Sequence, residues 1–176
     1  MTNLRTTTAL PPLPRELAIK PARVEWFFSL TLDWLFPERL GEPFEPRLFA
    51  MRMQRLRSDL ESMLGVIGYS ESDARRVSAI FFEGIEELRH ALRRDAVRIV
   101  ADDPTQGSLA GVLRHSQVFR VRAADTIAHE LAKLHVPILP FVIARRTERR
   151  TGLPVAFGRD VQPASNTTSP SVIETL

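Results

Sequence analysis

The sequence predicts an all-α protein, a bundle of five or six helices with extended N- and C-terminal tails. Three observations lead there. Apolar residues recur at spacings of three and four along most of the chain. Prolines and glycines fall between these stretches. No run before residue 152 alternates apolar with polar at the period of two that a half-buried strand needs. At 176 residues and 44% apolar content, the chain can bury a sizeable core as one domain.

Residues 1–22 contain Pro11, Pro12, Pro14 and Pro21, which remove amide donors and fix φ, so this stretch reads as a flexible arm. The helical domain is placed at residues 23–152. Val24, Phe27, Phe28, Thr31, Leu32 and Leu35 form the first stripe, halted at Phe36-Pro37 because the residue before proline is pushed out of the α region. Phe49, Met53, Leu56, Leu60, Met63 and Ile67 form a second, with Pro46 in its first turn. Ser70 with Asp73 supplies an N-cap pattern, and Val77, Ile80, Phe81, Gly84, Leu88, Leu92, Ile99 and Val100 carry one long stripe to Asp103-Pro104. A short helix around Leu109, Val112 and Leu113 follows. A longer one carries Val118, Val121, Ala124, Ala128, Leu131 and Leu134. Pro137 opens a last helix through Ile138, Phe141 and Val142 that ends at Gly152. Residues 153–176 read as an extended segment and a tail rich in Ser and Thr.

The composition excludes several function classes. There is no Cys, so disulfides, thiolate nucleophiles and thiolate metal sites are ruled out. No charged start leads into an apolar run, and no stretch of eighteen apolar residues occurs, so a cytoplasmic protein with no membrane partner is expected. Net charge is only +3, and Lys occurs only at Lys20 and Lys133. The run Arg145, Arg146, Glu148, Arg149, Arg150 suits the negative end of a helix dipole. Without interleaved aromatics it does not call for nucleic acid.

Two clusters remain. Glu83, Glu87 and His90 share a helical face, and Asp125 with His129 forms an i, i+4 pair. Carboxylate and imidazole on facing helices are the ingredients of a di-metal site for Fe or Mn, the alternative to packed or capping histidines. His115 and His135 sit beside expected helix ends, and Met51, Met53 and Met63 read as core. The aromatic group Trp26, Phe27, Phe28, Trp34 and Phe36 makes a short helix apolar on more than one face. Self-association is expected to cover it.

From Asp95 to Gly152 the sequence resembles the helical N-terminal part of bacterial serine O-acetyltransferases. The residues that carry the resemblance include Asp95, Asp103-Pro104, Ser108, Val112-Leu113, Phe119, the run Ile127-Ala128-His129-Glu130-Leu131, Leu134, Val136-Pro137, Leu139-Pro140 and Thr151-Gly152. The earlier 32-LDWLFPERLGE-42 is similar to a segment of longer family members. In that family the helices lead through a Thr-Gly-Ile-Asp-Ile-His-Pro segment into a left-handed β-helix, which binds acetyl-CoA and supplies the catalytic His and Asp.

The resemblance implies a helical domain followed by a degraded threshold to that β-helix. Thr151-Gly152-Leu153 matches its start. An ungapped reading then puts Pro154, Val155, Ala156 and Phe157 at Asp-Ile-His-Pro, whereas a four-residue insertion aligns Asp160-Val161-Gln162-Pro163 and loses the His. Asp160 then stands where the family has a serine-binding Asp. No Asp-His-Gly motif follows, so no catalytic residue and no acetyl-CoA site are expected. Acyl transfer needs a base, a group that orients it and oxyanion donors. The implied function is a non-catalytic, acetyltransferase-like helical protein. It forms a homo-oligomer, with a dimer favoured, or docks on an acetyltransferase or another enzyme of cysteine, sulfur or amino-acid metabolism. The implied alternative is a serine O-acetyltransferase whose catalytic domain lies outside this chain.

Overall fold

A computed structural model describes residues 19–41 and 45–158; within these, the chain folds as an all-α bundle of seven helices with no strand. In order they are α1 (Pro21–Leu35), α2 (Pro46–Val66), α3 (Glu71–Glu83), α4 (Ile85–Asp102), α5 (Leu109–His115), α6 (Gln117–Lys133) and α7 (Leu139–Thr151). Short 3-10 turns occupy Pro37–Arg39 and Pro104–Gln106. No described helix is long and apolar enough to cross a membrane.

The helix starts follow from local chemistry. Ser70, Ser108 and Ser116 each accept a hydrogen bond from the backbone N–H three residues on, satisfying an amide that the first turn leaves unpaired. Pro21 and Pro46 sit in first turns, where a missing N–H costs nothing, so Pro21 and Ala22 open α1 instead of closing the arm that the sequence places at 1–22. α6 ends differently. The Val136 N–H reaches the Leu131 carbonyl and the His135 N–H the Ala132 carbonyl, closing a Schellman turn with His135 at φ 59. That turn delays the last helix by two residues. It begins at Leu139, and Pro140 rather than Pro137 takes the first-turn position.

The long third helix expected from the sequence is two helices. The chain bends at Gly84 (φ −81, ψ 7), whose N–H still reaches the Ile80 carbonyl at 3.3 Å. Ala74, Val77, Ser78, Phe81 and Phe82 before the bend and Ile85, Leu88, Leu92 and Ala96 after it are all buried, at unbroken helical spacing. One stripe thus serves two neighbours, since α3 packs on α2 and α4 on α6. Periodicity could not reveal a change of axis that leaves the stripe intact. This break makes seven helices of the six segments the sequence marks out.

α6 is the central helix. Phe119, Ala123, Ala124, Ile127, Ala128 and Leu131 are fully buried, and the three alanines permit close approach by α7 through Leu139, Ile143 and Ala144. Phe36 meets Phe119 edge to face at 5.7 Å. Ile80, Val118 and Met51, given to apolar stripes or core by the sequence, are instead 46%, 45% and 67% exposed.

The aromatic surface expected to seat a second protomer is corrected by the packing of α1. Phe27, Phe28, Trp34 and Phe36 are buried within this chain, and only Trp26, at 45%, is substantially open. α1 is apolar on more than one face because it lies against both α2 and α7. Trp34 stacks on Phe49 at 4.4 Å, and the Arg120 guanidinium covers Phe28 at 5.0 Å.

Candidate functional site

The proposed metal ligands do not converge. Glu83, Glu87, His90 and His129 are exposed, and among the described residues no three His, Asp or Glu side chains are placed to share an ion. Asp125 and His129 have a different role. The Asp125 carboxylate accepts the Phe157 N–H at 2.7 Å, while His129 Nδ1 lies 2.8 Å from the Asp125 backbone carbonyl and packs its ring edge to face on Phe157 at 5.0 Å. Asp160, which the resemblance places at a serine-binding position, lies outside the described residues.

These contacts hold a strap. α7 ends at Gly152 in the left-handed conformation, and residues 153–158 turn back over α6 and α7. Glu148 accepts the Val155 N–H at 3.1 Å, and the Val155 side chain is fully buried. Phe157 reaches Phe141 at 5.1 Å. Gly158, at φ 78, lies so close to the Phe141 ring that a Cβ there would approach it to 3.0 Å, which only glycine avoids. The strap therefore props Phe141 from one side.

Along α1, a charged seam joins helices distant in sequence. Glu25 pairs with Arg146 at 3.1 Å and with Arg150, and its pKa falls below the ordinary value, chiefly through the hydrogen bond from Arg150. Arg120 donates to Ser29 Oγ at 3.2 Å and has no carboxylate partner among the described residues. Burial, together with Arg150 and Arg39 nearby, lowers its pKa. The Nε atoms of Arg120 and Arg146 are buried without a hydrogen-bond partner. These pairs span more than ninety residues of chain, so no local spacing could have revealed them.

An apolar concavity lies on the outer face of α7. Pro21, Pro137, Ile138, Phe141 and Val142 floor a groove of about 540 Å³, and Arg145, Arg146 and Arg149 rim it. Phe141 is 48% exposed although it sits mid-groove. Arg145 is engaged by Glu148 and Arg146 by Glu25, whereas Arg149 makes no ion pair among the described residues. Comparison with protein-family models and with curated proteins returns no match.

Proposed function

We propose that this helical unit works by association rather than catalysis, as a relative of the N-terminal helices of serine O-acetyltransferases. On this reading it either assembles with copies of itself or docks on a metabolic enzyme, an acetyltransferase among them. One observation carries the reading: Phe141 of α7 stands out of the bundle in an apolar groove that the half-buried Ile138 and Val142 also line. The resemblance from Asp95 to Gly152 supports the family.

The contact surface in this reading is α7, since the α1 aromatics other than Trp26 are spent on the chain's own core. Sedimentation equilibrium up to high micromolar concentration, with and without an acidic helical peptide, tests it. Association is expected, and Phe141→Ser is expected to weaken it. A strict monomer that takes no peptide refutes association. Formation of O-acetylserine from serine and acetyl-CoA by this chain alone refutes the non-catalytic role.

A further inference from the structure

We infer that the α7 groove receives an acidic amphipathic segment of a partner protein, an inference that rests on the chain being an association unit. The floor supplies apolar anchoring at Ile138, Phe141 and Val142, the spacing that reads one face of a docked helix. The rim supplies charge. Arg145 and Arg149 are exposed one turn apart beside Phe141, and Glu148, the acid between them, is turned inward to the Val155 amide and to Arg145. A segment with carboxylates flanking apolar anchors therefore meets cations on the side where it leaves the groove.

The same charges argue against a second copy as occupant. Twofold packing of α7 on α7 sets Arg145 and Arg149 of both protomers along one seam, where like charges repel. An anionic bilayer shares the charge preference, but the site is a concavity between the start of α1 and α7, suited to a protruding side chain more than to a flat surface. The groove is also preformed. Phe157 and Gly158 buttress Phe141, so little ordering is needed on binding.

The probe is a synthetic helical peptide of about twenty residues, roughly 30 Å long, with Leu at i, i+3, i+4 and i+7 and Glu at the flanking positions. Its counterpart carries Lys instead. By fluorescence anisotropy the full chain is expected to bind the Glu peptide at least about tenfold tighter than the Lys peptide. Phe141→Ser is expected to abolish binding, and the double variant R145E/R149E to reverse the charge preference. All three side chains are exposed, and unchanged thermal melts confirm that the variants fold. Equal affinity for both peptides, no effect of R145E/R149E, or binding to anionic phosphatidylglycerol vesicles but to neither peptide overturns the inference. A homodimer broken by Phe141→Ser and indifferent to peptide charge overturns it too, while leaving the association reading intact. A monomer that binds neither peptide sinks both.

Discussion

Asp125→Ala should unlatch the strap without loosening the bundle. The variant removes the acceptor of the Phe157 N–H, a 2.7 Å bond to an ionised group, and leaves the Asp125 backbone carbonyl in place for His129. Hydrogen bonds to charged groups contribute about 1.5–3 kcal/mol; the Asp125 side chain is 23% exposed, which places the loss at about 1.5 kcal/mol. At about 1.4 kcal/mol per factor of ten, amide exchange that proceeds by local opening should quicken roughly tenfold. The discriminating amide is Val155. Phe157 exchanges faster simply because its acceptor is gone, but the Val155 N–H is held by Glu148 and accelerates only if residues 153–158 open together. Hydrogen exchange followed by NMR should show both amides faster by similar factors, with amides of α6 unchanged. A fast Phe157 beside an unaltered Val155 would refute the strap as a unit.

Other perturbations probe the bundle and the seam. Gly84→Ala should raise stability by about 0.5–1 kcal/mol in thermal melts, because φ there is ordinary and the new methyl meets nothing nearer than the Phe81 carbonyl at 3.8 Å; a destabilised variant means the bend requires glycine. Phe119→Ala empties a fully buried site beside Phe36 and should cost about 3–5 kcal/mol in urea unfolding, against under 1 kcal/mol if the cavity is not real. Glu25→Gln should lose roughly 1 kcal/mol at neutral pH by leaving Arg146 and Arg150 without their counter-charge. The folded carboxylate has a lowered pKa, so its contribution is present above the unfolded value, near 4.5, and is lost as pH falls through the folded one. Wild type and variant should therefore converge in acid, and a gap that persists there excludes the charge as its cause.

The fold was legible where the signal is local. The Ser70 cap, the apolar stripes and Pro46 in the first turn of α2 all act within a few residues, and the structure carries helices where they mark them. Legibility stopped where a residue's partner is remote. The stripe through Gly84 stays in phase across the bend, so only the different neighbours of α3 and α4 reveal two helices. The aromatic set of α1 predicted a covered surface correctly but not the cover. Whether α2 and α7 or a second protomer supplies it depends on tertiary packing, which apolar content does not encode. The Glu25 seam and the outward turn of Phe141 share that dependence.

The Asp125 and His129 pair shows why residue types alone are ambiguous. An i, i+4 carboxylate and imidazole suit a metal ion as well as a backbone amide, and helical spacing is the same in both cases. The decision lies with the third group. Here it is the Phe157 N–H, carried to the pair by a chain reversal that begins at Gly152, and it donates to the Asp125 carboxylate. The consequence reaches the groove, because Phe157 is wedged between His129 and Phe141. Two residues that the sequence offers as ligands, Asp125 and His129, thus act as the footing for the exposed Phe141 ring. If α7's outer face receives a partner as proposed, their contribution is rigidity in that face rather than direct contact.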